Sequence, residues 1–173
     1  EYDQDNAHTN HVAELALTMW DALGSNDPVE RELLWAAAML HDIGMSIDYD
    51  DHHKHSRYLI LNAGLPGFSP RETALIGQMA RFHRKGNPRL GPFSALGEDG
   101  DEELLTRCSA VLRVAEQLER SRDQAVDRVG VKVENGRVEL ELQAHEDVAI
   151  ARWAAMNEAD VFKQAFGREL EIS

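Results

Sequence analysis

The chain has a single cysteine, Cys108, in 173 residues, so no internal disulfide can form and a reducing cytoplasm is the expected compartment. It has no apolar run approaching the roughly 18 residues that a membrane-spanning helix needs, which removes a membrane from the expected partners. Positive charge is scarce: 18 Lys and Arg stand against 31 Asp and Glu, a net charge of −13. Duplex nucleic acid or an anionic lipid surface would therefore meet net repulsion, and any polyanion has to dock locally. Internal repeats and low-complexity stretches are also missing. The first residue is Glu rather than Met, with no signal-type segment after it, so the chain reads as a processed form or a piece of something longer. What is present is the balance of a folded protein, 43% hydrophobic and 28% charged, in 19.4 kDa. That is enough for one compact domain with a small appendage.

The apolar positions Val12, Leu15, Ala16, Met19, Trp20 and Leu23 recur at three- and four-residue steps, predicting an amphipathic helix from Asn6 to Leu23 that Gly24 stops. Asp27 and Pro28 open a second, strongly apolar helix through Leu33, Leu34, Ala37, Ala38 and Leu40, ending near Gly44. Trp20, Trp35 and Met39 are expected in the core. A third helix follows from His52–His55 through Asn62. Ser69-Pro70-Arg71-Glu72 is a capping-box pattern that opens a fourth, ending at His83. A long helix is predicted over Leu104 to Arg122. The period then changes to two in Val129, Val131 and Val133, and again in Val138, Leu140 and Leu142, with Asn135-Gly136 between them: a β-hairpin. Asp147 to Phe166 reads as helix, and Leu170-Glu171-Ile172 as a third strand. The expected fold is mainly α, a helical bundle over residues 1–124 with a small β-α-β subdomain over 125–173.

Seven of the eight histidines lie between His8 and His83. The sharpest feature is His41-Asp42, because the apolar helix before it carries an imidazole and a carboxylate toward the interior. A buried charge needs a partner, and a divalent metal is the most effective one. His8 shares the stripe of Val12, Leu15 and Met19, with His11 as the competing ligand. His55 opens one helix, His83 closes another, and Glu116 sits beside Leu112 and Ala115. The expected ligand set is thus His8, His41, Asp42, His55, His83 and Glu116. The alternative for His41-Asp42 is a buried ion pair or helix cap, and for Glu116 a helical pair with Arg113 or Arg120. His55 and His83 could equally donate to phosphate or support a ligand, while His52 and His53 are expected to face solvent. Such donors suit Mn, Fe, Co, Zn or Mg. Arg81, Arg84, Lys85 and Arg89 fall within nine residues with no carboxylate between them. With Lys54 and Arg57 they are candidate phosphate ligands. The other reading makes them a solvated face, or partners of the acidic stretch Glu98–Glu103.

The pattern of His8, His41-Asp42 and later histidines on successive helices resembles the HD-domain metal phosphohydrolases. More closely, the runs His8-Thr9-Asn10-His11-Val12-Ala13, Ala37 through Gly44, His52 through Ile60, Leu65 through Ser69, Arg81 through Lys85 and Leu112 through Ser121 resemble the C-terminal domain of the exopolyphosphatase and guanosine pentaphosphate phosphohydrolase family. The resemblance covers most of the chain, the terminal β-α-β part included. It puts an Asp where this chain has Glu116, one methylene longer. It also assigns the family's main phosphatase chemistry to N-terminal actin-like domains with glycine-rich phosphate loops, and this chain has no such loop.

The resemblance implies an HD-type metal-dependent phosphohydrolase that cleaves a phosphate ester, nucleotide or polyphosphate with metal-activated water. Asp42 and His41 would be the catalytic pair, and Lys54, Arg57, Arg81, Arg84 and Lys85 would hold phosphate. The rival reading is a non-catalytic module that binds polyphosphate or mediates dimerisation, with a homodimer as one assembly, for a larger actin-like phosphatase.

Overall fold

The computed structural model describes residues 6–173. Helix α1 spans Asn6–Leu23 and α2 Pro28–Leu40, the latter opened by Asp27, whose carboxylate accepts the Val29 N–H. A 3-10 turn at Ile43–Ser46 leads to α3, His52–Ala63. Helix α4, Pro70–Phe82, starts with the full capping box: Ser69 accepts from the Glu72 N–H while the Glu72 carboxylate accepts from the Ser69 N–H. Helix α5 is Asp101–Leu118. Strands β1, Val126–Glu134, and β2, Arg137–Ala144, pair antiparallel around Asn135-Gly136, both at positive φ as a tight two-residue hairpin requires. Helices α6, Ala149–Met156, and α7, Ala159–Phe166, return the chain to β3, Glu169–Ile172, which lies parallel to β2 in the order β1-β2-β3.

The mainly α architecture with a small β part is therefore as the sequence predicts, with local differences: the second helix ends at Leu40 rather than near Gly44, and the long helix starts at Asp101 rather than Leu104. The long helix stops at Leu118 rather than Arg122, because Glu119 is fully buried and its carboxylate collects the Gln124 N–H and side-chain amide. The last helical stretch breaks at Asn157 and Glu158, where Glu158 turns inward toward Arg113, 3.7 Å away. Trp35 is 45% exposed rather than buried, since it sits a 100° step off the face formed by Leu34, Ala37 and Ala38. One apolar core joins α1, α2, α4 and α5 through Met19, Leu34, Met79 and Leu112 to Val138, Leu140, Phe162 and Leu170 of the β-containing part. No helix among the described residues is long and apolar enough to cross a membrane.

A partly buried ion pair fastens the start of α5 to α4. Arg71 Nε donates to Asp101 Oδ2 at 2.8 Å, and the same oxygen accepts the Glu98 N–H at 2.8 Å. Burial alone would raise the Asp101 carboxyl, but Arg71 and the Glu98 N–H outweigh it and hold it below its ordinary value. A carboxyl depressed by folding stabilises the fold above its unfolded pKa of about 3.9, and the contribution is lost as pH falls through the depressed value. Asp101→Asn should accordingly cost about 1.5–3 kcal/mol at pH 7 in urea unfolding, and the deficit should shrink toward pH 2. A deficit of the same size at both pH values would assign the loss to packing instead of charge.

Candidate metal centre

The site is built where the C-terminal ends of α2 and α4 meet the first turns of α1 and α3 and the inner face of α5. Gly44 sets this approach. A Cβ there would lie 2.2 Å from the His52 carbonyl oxygen and 2.4 Å from the Ser56 nitrogen, so only glycine lets α3 close against the His41-Asp42 turn. Ser56 locks the contact: its Oγ accepts the Gly44 N–H at 2.9 Å and donates to the His41 carbonyl.

Three imidazoles are held in the same way. His41, His52 and His83 place Nδ1 against the carbonyl oxygens of Ala38 at 2.6 Å, Tyr49 at 2.9 Å and Ala80 at 2.7 Å. A carbonyl only accepts, so each Nδ1 carries the proton and each Nε2 is left for another partner. All three Nε2 atoms turn toward Asp42 Oδ1, at 3.6 Å from His41, 3.2 Å from His52 and 3.7 Å from His83. That oxygen is buried and accepts no hydrogen bond among the described residues. The His52 and His83 Nε2 atoms are only 3.2 Å apart. Such an arrangement needs positive charge among these atoms, from a proton or a metal cation.

Glu116 completes the other side. Its Oε2 lies 3.2 Å from His8 Nε2 and 3.1 Å from His41 Nε2, while His8 Nδ1 faces Glu119 Oε1 at 3.8 Å. Burial opposes charge on every one of these groups, and their mutual contacts overcome it. Burial would lower His8, yet Glu116 and Glu119 raise it to about 9. His41 is likewise raised against burial by Glu116 and Asp42. Burial would raise Asp42, but His52, His41 and Arg122 hold it well below the usual carboxylate range, and His41 and His8 do the same for Glu116. His83 is the exception: burial and the neighbouring His41 lower it to about 3, so its ring is neutral with a bare Nε2.

The structure thus brings together His8, His41, Asp42, His83 and Glu116 and leaves out His55. His55 is half-buried and belongs to neither of the two groups of convergent donors among the described residues, His8-His41-Asp42 and Asp42-His52-His83. The reason is register. Helix α3 begins at His52, so the residue facing Asp42 is in its first turn, and His55 lies about 4.5 Å further along the axis. His52 and His53, expected at the surface, are both buried. His11 is not the competitor of His8, because its Nε2 pairs with the Val126 carbonyl at 2.6 Å. Arg113 does not pair with Glu116; it donates to the Phe82 carbonyl at 2.7 Å and faces Glu158. Sequence reasoning missed His52, Glu119 and Arg122. The signal for Glu119 was its place one turn after Glu116; nothing in the sequence singled out Arg122.

Above the cluster opens a cavity of about 670 Å³, with His52, His83 and Glu116 in its lining beside Tyr49, Asp50, Asp51, Arg84, Lys85, Gln117, Arg120 and Arg122. Of the expected phosphate ligands only Arg84 and Lys85 face it. Lys54 is exposed and pairs with Asp51 at 2.6 Å, Arg57 donates to Gln78 at 3.3 Å, and Arg81 stacks over Phe82 at 5.2 Å. The acidic stretch is engaged elsewhere: Asp101 and Glu98 with Arg71, Glu103 with Arg107, and Glu102 with the Leu90 N–H.

Comparison with known proteins agrees with this architecture. The family profile described as Ppx/GppA phosphatase, domain III matches residues 1–160. Similar curated proteins include a guanosine-5'-triphosphate,3'-diphosphate pyrophosphatase of Vibrio vulnificus, 31% identical over 148 residues, 83% of this chain and 29% of that protein. The protein of the same description from Pseudoalteromonas translucida is 30% identical over 147 residues, covering 82% of this chain and 29% of its own length. The chain therefore spans under a third of the relatives it matches. With a profile match over nearly its whole length and two such relatives, this chain belongs to the Ppx/GppA phosphatase family and corresponds to its domain III.

Proposed function

We propose that this domain is an HD-type, metal-dependent phosphohydrolase acting on a phosphate ester, nucleotide or polyphosphate. One observation carries the reading: three imidazoles, each fixed through Nδ1, aim Nε2 at a buried carboxylate oxygen that accepts no hydrogen bond. The donor set of nitrogen and carboxylate oxygen fits a divalent transition metal, with Mn, Fe, Co, Zn and Mg as the candidates. Asp42, His41, His52 and His83 would hold it, with His8 and Glu116 on the adjoining side. Bound there, such an ion supplies Lewis acidity and lowers the pKa of water toward neutrality.

The protein's own residues do the rest. The carbonyls of Ala38, Tyr49 and Ala80 keep the three rings from rotating, and Glu119 orients His8. Arg84, Lys85, Arg120 and Arg122 wall the cavity on the side from which a phosphoryl group would enter, where fixed cations stabilise charge developing on its oxygens. The relatives are described as pyrophosphatases of a guanosine polyphosphate, which favours a polyanionic substrate for the whole proteins.

The decisive experiment loads the purified domain with Mn, Co or Zn and assays a panel of phosphate esters, nucleotides and polyphosphate. Turnover that depends on metal and on Asp42 supports the reading. Binding of polyphosphate without hydrolysis by any loaded form favours the second reading, a binding or dimerisation module, which the chain's limited share of its relatives' length suggests. Reversing charge at the cavity, with Arg84→Glu and Lys85→Glu together, should weaken tripolyphosphate binding roughly tenfold or more while leaving metal content unchanged. Wild-type affinity should fall steeply between 50 mM and 500 mM salt, and the reversed variant's should not. Equal affinities in a titration calorimeter would make these side chains a solvated face.

A further inference from the structure

Asp42 is shared by both groups of convergent donors, but its two oxygens are not equivalent. Oδ1 faces His52, His41 and His83 and accepts no hydrogen bond. Oδ2 faces His8 at 3.8 Å and is taken by the guanidinium of Arg122, in direct hydrogen-bonded contact. Arg122 comes from the loop after α5, where its own φ is 59° and that of Gln124 is 54°. This backbone is rare for residues with a Cβ and aims the side chain back across the site. Met45 Sδ, 3.5 Å from the same nitrogen, flanks the guanidinium, and the arginine is 31% exposed along the cavity wall.

We propose that Arg122 is a built-in cation standing where a second metal ion would bind, so that the centre holds one ion, on Asp42 Oδ1 with His41, His52 and His83, and excludes a second from the adjoining side of His8 and Glu116. This rests on the metal-centre reading above. Asp42 has one negative charge to share, and a dication beside a guanidinium on the same carboxylate meets strong repulsion in a buried site. Arginine suits the role because its charge persists at every physiological pH and its planar fork fits a carboxylate. Two-metal hydrolases use the second ion to neutralise charge on the reacting phosphoryl group. Here Arg122, beside Arg84, Lys85 and Arg120 in the cavity wall, would supply that charge as a positioning residue without a second ion.

The test counts ions. Titration of the metal-free domain with Mn(II), followed by calorimetry and electron paramagnetic resonance, should give one tight equivalent with the spectrum of an isolated ion. Arg122→Gln should gain a second equivalent, at least about tenfold tighter than any second binding to the wild type, with the spectrum of a spin-coupled pair. Arg122→Met, a second neutral replacement, should do the same and guards against a folding defect in either variant, which melting curves would reveal. Arg122→Lys, keeping the charge, should stay at one. One equivalent in both folded neutral variants, or two tight equivalents in the wild type, overturns the role of Arg122 and leaves the metal centre standing. A wild type that takes up no Mn, Co or Zn at all overturns both.

Discussion

Asp42→Asn should weaken divalent metal binding at least about a hundredfold, more than loss of a supporting residue does. The amide keeps the size of the side chain but removes the negative charge on which both donor groups converge. The effect is readable without turnover. At free metal about 100 times its Kd the wild type should gain about 2.7 kcal/mol, which at roughly 2–4 °C per kcal/mol for a domain of this size raises Tm by about 5–11 °C. The variant should show no metal-dependent shift at the same concentration. Its metal-free Tm should change less, because the amide oxygen can still accept a hydrogen bond from Arg122. A variant that is stabilised by metal as much as the wild type would remove Asp42 from the centre, and the proposed function with it.

Gly44→Ala should damage both fold and site, although the residue carries no chemistry. The new Cβ would meet backbone at the His52 oxygen, the Ser56 nitrogen and the His55 carbonyl carbon, at 2.2, 2.4 and 2.8 Å, and none of these can swing aside as a flexible side chain would. The first turn of α3 has to move away from the His41-Asp42 turn, breaking the Ser56 link and carrying His52 off Asp42. Overpacking of this kind costs about 1–3 kcal/mol, a fall of roughly 2–12 °C in Tm. Metal affinity should fall with it, because α2 retains His41 and Asp42 while α3 withdraws His52. A fall in Tm with unchanged metal affinity would show that His52 is not a ligand. No change in either would mean that α3 accommodates the methyl by sliding as a unit.

Local rules made much of the fold legible. The three- and four-residue spacing of Val12 to Leu23 and of Leu33 to Leu40, the Ser69–Glu72 box and the Asn135-Gly136 turn each depend on a few neighbouring residues, and each element formed where those residues stand. Helix ends set by distant partners were not legible. Helix α5 ends early because Glu119 is drawn into a buried network, and the final helix breaks where Glu158 meets Arg113 from another element.

The site divides along the same line. The chain by itself determined that His8 and Glu116 lie on inward-facing helix positions, since side-chain direction on a helix follows from sequence spacing, and that His41, Asp42 and His83 directly follow apolar helices. Only the tertiary structure decided which residue of the cluster His52, His53 and His55 meets Asp42, because that depends on where α3 starts and on how closely Gly44 lets it approach. It also decided that Lys54, Arg57 and Arg81 lie outside the cavity while Arg84 and Lys85 enter it, and that Arg122 folds back onto Asp42. Charge and residue type are properties of the sequence. Which charges share one buried volume follows from helix packing, set by contacts between residues far apart in the chain, as between His8 and Glu116, 108 positions apart.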